Sequence, residues 1–262
     1  MTNVQQDLRI VTGTVASNAE IAESVYEMAV SAEGMEDFVP GQFINVYLDD
    51  KSMLLPRPIS ICESSRGGVT IVYKTVGKGT VRLSEYHRGE PIRVSTPLGN
   101  GYSIKEGCAG RSAALVAGGM GVPPMVGLAK ALKGKGACVD VFLGFQAGAF
   151  LAGRFGASAQ NVFVSTDDGS CGFHGNVVEL LKSKGCAYDE YFSCGPRAML
   201  KALSEYAAQK GRSAQVSMEE RMGCGYGACV GCSCRVMEGG RAVMKRACKD
   251  GPVFFGKDVV WG

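Results

Sequence analysis

The sequence predicts a multidomain chain of mixed β and α/β class. Three observations carry this reading. Up to about residue 98, short β-branched runs alternate with turn residues, as in a small antiparallel barrel. From 111 to 216, near-continuous apolar strands alternate with helical patterns, the signature of a parallel sheet covered on both faces. The last stretch, 217–262, is rich in Cys and Gly and too short for a large core of its own. The expected units are 1–105, an antiparallel β-barrel; 106–216, an α/β unit; and 217–262, a small C-terminal unit.

The elements follow in order. "LRIVTGTVASNAE" (8–20) and "IAESVYEMAVSA" (21–32) carry the first β-branched runs. "GQFINVYLD" (41–49) and "GGVTIVYKTV" (67–76) follow glycine turns, and "RPIS" (57–60) opens another strand-like run. A helical turn or two fits 78–87, and "EPIRVSTPLGNGY" (90–102) ends in Pro and Gly punctuation. In the second unit "SAALVAGG" reads as a buried strand. "VPPMVGLAKALKGKG" reads as a helix with Pro near its first turn and Gly at its end. "ACVDVFLGF", "NVFVSTDD", "YDEYFSCGP" and "AQVSME" are further strands. "GAFLAGRF", "GNVVELLKSKG" and "PRAMLKALSEYAAQKG" are helices. "EGG" (238–240) marks a hairpin turn in the last unit.

Composition narrows the function classes. Apolar residues make up 46% and charged residues 20%, and the formal net charge is +3. Lys and Arg are scattered, without a basic tract, which argues against a nucleic-acid partner. "MTNVQQDLRIV" lacks the basic start and apolar run of a signal peptide. The apolar stretch "SAALVAGGMGVPPMVGLA" (112–129) is too punctuated by Gly and Pro to span a bilayer. A cytoplasmic location is therefore expected, where eleven cysteines are not a disulfide set. The two histidines, His87 and His174, sit in turn-like contexts and read as solvated loop residues. No nucleophile–histidine–carboxylate or zinc-hydrolase pattern is visible.

The chemistry gathers in "MGCGYGACVGCSCRV" (222–236). Cys224, Cys229 and Cys232 are spaced C-x4-C-x2-C, and Cys248 follows sixteen residues later. This is the start of the plant-type two-iron pattern, completed by a distant thiolate. Glycines at 223, 225, 227 and 231 let one loop wrap an inorganic core and turn N–H groups toward sulfur. Zinc is the rival reading, but it favours paired C-x2-C knuckles and the second pair is missing. Free or redox thiols are a third. Cys234 is a spare thiol, read as packed, with a fallback ligand role left open.

Other motifs suggest ligands. Arg57 in "RPIS" is a cation in an apolar run whose fork suits a phosphate diester, and Ser60 adds a hydroxyl. "GKGT" (77–80) offers a flexible loop to an anion. A solvated surface is the alternative for both. "VAGGMGVPPM" (116–125) and "CGP" (194–196) stand where strands meet helices. They read either as close packing or as the border of a ligand crevice.

Taken together, "RPIS", "GKGT", "GGMGVPP", "CGP" and "EERMGCGYGACVGC" resemble the electron-transfer subunits of NAD-linked dihydroorotate dehydrogenases, a branch of the ferredoxin reductase superfamily. "PLGNGY" (97–102), "DDGSCGFHG" (167–175) and "CKDGPVF" (248–254) agree with that resemblance, which covers essentially the whole chain. It implies an FAD-binding barrel domain, a Rossmann-like NAD-binding domain and a [2Fe-2S] domain. It implies that Arg57, Pro58, Ile59 and Ser60 hold FAD, that Val72, Tyr73 and Lys74 line it, and that Gly79 and Thr80 meet its pyrophosphate. Gly118, Gly119, Gly121, Cys194, Gly195 and Pro196 would border NAD, and Cys224, Cys229, Cys232 and Cys248 would ligate the cluster. No residue is assigned as a catalytic acid or base. Met120 and Thr96 depart from the family pattern, which more often has Gly there.

The implied activity needs a partner, an FMN-containing dihydroorotate dehydrogenase catalytic subunit, with two of each chain. Electrons would pass from that FMN through [2Fe-2S] and FAD to NAD+ in pyrimidine biosynthesis. The alternatives are a related NAD(P)H-linked flavin/iron–sulfur reductase subunit with another electron partner, and a non-enzymatic electron carrier. NAD is expected over NADP, because "LGFQAGAF" (143–150) lacks a cation for a 2′-phosphate, although Arg154 is nearby.

Overall fold

The computed structural model describes residues 8–35, 38–65 and 67–262. Residues 1–7, on which part of the signal-peptide reading rests, lie outside the described residues.

The first six strands are β1 (Ile10–Ala22), β2 (Val25–Ser31), β3 (Phe43–Tyr47), β4 (Arg57–Ser65), β5 (Gly68–Lys74) and β6 (Pro91–Ser95). They close into an antiparallel barrel in the order β1-β2-β5-β4-β3-β6. Alternation explains the closure. Ile44 and Val46 of β3, Ile59 and Ile61 of β4, and Val69 and Ile71 of β5 all join one interior cluster, so their neighbours in sequence face outward. A short helix, α1 (Lys78–Ser84), follows β5.

The second unit is built on β7 (Ser112–Gly118), β8 (Cys138–Phe145), β9 (Asn161–Thr166), β10 (Phe173–His174), β11 (Glu190–Cys194) and β12 (Ala214–Ser217), all parallel. Its helices are α2 (Val122–Gly134), α3 (Val177–Ser183) and α4 (Arg197–Gln209). The sheet carries a core on each face. One includes α2 together with Val25, Cys62 and Val72 of the barrel. The other includes α3 and α4. The expected helix at "GAFLAGRF" is only a 3-10 turn, Ala152–Phe155, because Leu151 before it takes a left-handed φ of 62°.

The C-terminal residues form a hairpin, β13 (Ser233–Glu238) and β14 (Arg241–Arg246), and a last strand, β15 (Val253–Phe255). Gly239 and Gly240 turn the hairpin with φ of 58° and 80°, the primed turn that matches strand twist. The sequence reading gave a wholly parallel sheet. The structure adds β15 as an antiparallel edge strand on β12.

"PLGNGY" ties the three parts together. Leu98 bridges to Phe43 of the barrel, Asn100 donates from Nδ2 to the carbonyl of Asp250 at 3.1 Å, and the Tyr102 hydroxyl donates to the carbonyl of Ser193 at 2.8 Å. No helix among the described residues is long and apolar enough to cross a membrane.

Candidate functional site

The outer face of β3 and β4 is the junction of two motifs. In their antiparallel register Phe43 stands opposite Ser60 and Asn45 opposite Pro58. Directly opposed residues share a face, so all four point out of the barrel. Ile59, also a predicted site residue, instead turns its side chain into the barrel core. Arg57 donates from Nη1 to the Leu55 carbonyl at 2.6 Å. Its Nε–Nη2 edge lies against Gly79, where any Cβ would overlap the guanidinium. "RPIS" and "GKGT", distant in sequence, thus meet at a cationic edge beside bare backbone, the pairing that an oxyanion needs. The Thr80 hydroxyl accepts from the Val76 N–H at 2.9 Å and donates to the Gly77 carbonyl at 3.1 Å, which fixes the loop.

The three β5 residues part company. Val72 packs into the core shared with the sheet. Tyr73 turns inward, stacks on Tyr26 and donates to Asn18 Oδ1 at 2.9 Å, and burial raises its pKa. Lys74 is exposed at the rim of a crevice.

That crevice has a volume of about 600 Å³, inside the range of small-ligand sites. It opens beyond the carboxyl ends of β7, β8, β9 and β11, where parallel sheets bind ligands. Lys74, Gly118, Gly119, Met120, Asp167 and Pro196 are among its walls. Gly119 has φ of 52° and open space around it. Gly121 and Gly195 serve packing. A Cβ on Gly121 would overlap the Cys194 carbonyl, and one on Gly195 would come within 2.9 Å of the Gly118 backbone. The Cys194 thiol is buried in the core, and burial followed by the nearby Glu219 pushes its pKa up to about 12, so it is a neutral packed thiol.

The cluster cysteines stand in two pairs. Cys224 and Cys229 each donate a backbone N–H to the other's sulfur, at 3.5 and 3.4 Å. Cys232 and Cys248 have their sulfurs 3.2 Å apart. At Cys224 partial burial raises the thiol pKa, but hydrogen bonds from the Cys229 and Tyr226 N–H groups, the Cys229 thiol and the Ala228 N–H outweigh it and bring the value down to about 6. At Cys248 burial and then the Cys232 thiol push it up to about 12. Among the described residues no three His, Cys, Asp or Glu groups converge on one ion. A single tetrahedral ion asks for donors around one point, whereas a two-iron core takes two thiolates on each iron. Two pairs, with N–H groups turned toward sulfur, fit the second. Cys234 lies apart, packed with Val236, Phe254 and Val259.

The cluster unit sits on the barrel face just described. Phe43 packs against Cys232, Cys248 and Ala247. Asn45, fully buried, donates from Nδ2 to the Cys224 carbonyl at 2.9 Å. The sequence reading passed over Asn45. Its signal was an amide at an outward position of the apolar strand "FINVY", where β-propensity disfavours it.

A closed barrel with a cationic edge, a crevice at the ends of a parallel sheet and a paired-thiol loop define the flavin and iron–sulfur reductase class. Comparison with known proteins narrows this. Residues 219–260 match the family described as "Iron-sulfur cluster binding domain of dihydroorotate dehydrogenase B". The chain is 40% identical over 253 residues to the "Dihydroorotate dehydrogenase B (NAD(+)), electron transfer subunit" of Geobacillus thermodenitrificans (strain NG80-2), covering 94% of this chain and 97% of that one. The corresponding subunit of Bacillus caldolyticus is 42% identical with the same coverage. A chain in the structure of an NADH-dependent reduced ferredoxin-NADP oxidoreductase superposes with a TM-score of 0.83 at 29% identity, over 95% of this chain and 90% of that one. A ferredoxin NADP+ reductase from Neisseria gonorrhoeae shares the fold, with a TM-score of 0.65 at 13% identity, over 77% of this chain and 92% of that one. The chain belongs to the family of dihydroorotate dehydrogenase B electron transfer subunits.

Proposed function

We propose that this chain is the electron-transfer subunit of an NAD-linked dihydroorotate dehydrogenase of pyrimidine biosynthesis, with FAD and a [2Fe-2S] cluster as resident groups. Its partner is an FMN-containing catalytic subunit, in an assembly of two of each chain. Dihydroorotate loses two electrons and two protons on becoming orotate; NAD+ takes both electrons and one proton, and the other proton is released. When bound, the cluster handles single electrons and the flavin exchanges a hydride with the nicotinamide.

The chain's own residues position those groups. Residues 1–105 hold the flavin, 106–216 the NAD and 217–262 the cluster. The Arg57 edge and the backbone at Gly79 and Thr80 would hold the flavin pyrophosphate, and Pro58 and Ser60, which point out of the barrel, would line the flavin. The backbone of Ile59 continues that wall while its side chain anchors the barrel. Lys74, exposed at the crevice rim, would act as a charge stabiliser near the flavin. Val72 and Tyr73 act from behind, by packing β5. Gly118, Gly119 and Pro196 border NAD directly, and Gly121, Cys194 and Gly195 by setting the turns. Cys224 with Cys229, and Cys232 with Cys248, hold one iron each.

The observation that carries the reading is the shared face of β3 and β4. The flavin motif occupies β4, and the paired-thiol unit rests on β3 beside it. The test is to assay this chain and the FMN subunit apart and mixed. Alone, this chain should reduce dyes with NADH and leave dihydroorotate untouched; the mixture should couple dihydroorotate to NAD+. Full coupled activity in the isolated chain overturns the division of labour. Stoichiometric zinc without acid-labile sulfide overturns the cluster.

A further inference from the structure

We propose that Asn45 is a positioning residue that couples the flavin strand to the cluster loop by fixing the orientation of the Cys224 ligand. The inference rests on the reading of the thiol loop as a cluster site and adds to it a residue outside the cysteine set.

Five observations converge on this side chain. Asn45 lies at the centre of β3, fully buried although it points out of the barrel. Its neighbour across the ladder is Pro58 of the flavin motif. Its Nδ2 donates to the Cys224 carbonyl at 2.9 Å, 179 positions along the chain. Gly225 presses on the same amide so closely that a Cβ there would overlap it. The fifth is that Asn45 Oδ1 is buried with no hydrogen-bond partner. A buried polar atom without a partner is destabilising, so the site holds an amide where an apolar residue of the same size would leave no oxygen unpaired. Stability does not explain it; the tether to Cys224 does.

The peptide plane supplies the consequence. The bond between residues 224 and 225 is planar, and its carbonyl and N–H point in opposite directions. With the Cys224 carbonyl held toward β3, the Gly225 N–H points the other way. There the Cys229 N–H donates to the Cys224 sulfur at 3.4 Å. The φ of 77° at Gly225 lets the turn follow at once. One amide thus sets the direction of a ligand and of the N–H dipoles that act on it. The same amide stands one strand away from the flavin motif, so it also fixes that loop's distance from the flavin strand. Outer-shell partners of metal ligands act in this way.

The experiment uses the full-length holo chain. Asn45→Leu is of similar size, removes the donor and removes the unpaired oxygen. A purely structural role for Asn45 predicts a less stable protein with an unchanged cluster signature. The positioning role predicts the reverse: thermal stability near wild type, a shifted electron paramagnetic resonance spectrum of the reduced cluster, a shifted cluster midpoint potential, and cluster loss to a chelator faster by about 10- to 100-fold. Gly225→Ala, which pushes on the same amide from the loop side, should move the same signals and keeps the test open if the Leu variant does not fold. Wild-type spectra, potential and chelator resistance in the variants overturn the role of Asn45 while leaving the cluster in place. A wild-type chain with neither the reduced-cluster signal nor acid-labile sulfide overturns the cluster reading, and the tether falls with it.

Discussion

The nucleotide crevice and the thiol loop are both rich in glycine, yet glycine works differently in each. Around the crevice it makes room. Gly121 lies against the Cys194 carbonyl, and Gly118 would bring a Cβ within 2.8 Å of Pro196 Cδ, so two strand ends and two helix starts close to backbone contact. In the loop it mainly turns the chain. Gly225 and Gly227 take φ of 77° and 92°, although each also lies tight against a side chain, Asn45 and Lys249, while Gly231 has only ordinary contact, with Cys229 Sγ at 3.6 Å. The crevice is therefore a space defined by packed elements. The loop is a path held at a few points, by Asn45 at Cys224 and by Arg246 Nη1, which donates to the Gly227 carbonyl at 3.0 Å. A site of the first kind persists without its ligand, while one of the second depends on what it wraps.

The largest expected effect tests that dependence. Cys248→Ser should abolish or badly weaken iron binding, because Cys248 is buried against Cys232 and completes the second thiol pair. Cys234→Ala should keep full iron content, since that thiol packs with Val236 and Phe254. Iron and sulfide analysis of the two variants checks this, and equal iron in wild type and Cys248→Ser removes that ligand. Stripping the metal should raise hydrogen exchange at 222–232 and leave β7 and β8 protected. A matching loss of protection in the sheet would break the contrast between the two sites.

Glycine substitutions sharpen it at smaller scale. Gly121→Ala should cost about 1–3 kcal/mol of stability, because its Cβ has nowhere to go. Gly119→Ala has room and should cost about 1 kcal/mol, from its left-handed φ alone. Gly231→Ala, with neither constraint, should lie within about 0.5 kcal/mol of wild type. Denaturant titration ranks the three, and a Gly231 variant as unstable as the Gly121 variant would mean that close packing in the loop extends beyond Gly225 and Gly227.

The same contrast explains what the sequence made legible. Local patterns carried the barrel strands, the alternation of the sheet and the hairpin at Gly239 and Gly240, since alternation and turn chemistry act within a few residues. The cysteine spacing likewise revealed a metal-type loop. Facing directions within a motif were less visible. "RPIS" reads as one unit, but pleating sends Pro58 and Ser60 outward and Ile59 into the core, and Tyr73 turns inward beside an outward Val72. Contacts between distant segments were not visible at all. Nothing near Val253 says that it will pair with β12, and nothing near Asn45 says that Cys224 will lie over it. From the residues alone Arg57 and Gly79 read as separate anion-binding features; only the family resemblance joined them on one flavin, and the fold places them edge to edge.

The smallest expected effect concerns the crevice and its choice of nucleotide. Arg154 was the cation that left NADP open, being near the segment after β8. In the fold it is already engaged. It pairs with Glu63 at 2.7 Å and with Glu27, and Lys130 pairs with Glu63 as well. Glu27 and Glu63 belong to β2 and β4, so the guanidinium is drawn toward the barrel. Asp167, meanwhile, presents a carboxylate to the crevice. An incoming 2′-phosphate would meet that charge with Arg154 held elsewhere, so NADH should be used in preference to NADPH. Glu63→Gln weakens the hold on Arg154, but Glu27 remains and Arg154 is 40% exposed. Glu63 itself is buried, but the Arg154 end of the pair is open to solvent, where an ion pair is worth about 1 kcal/mol or less, so relative kcat/KM for NADPH should rise by about fivefold at most. Steady-state rates with both nucleotides measure this. A wild-type preference for NADPH would put the 2′-phosphate pocket somewhere other than this crevice. A gain far above fivefold would mean that the barrel carboxylates, rather than the crevice wall, set the choice.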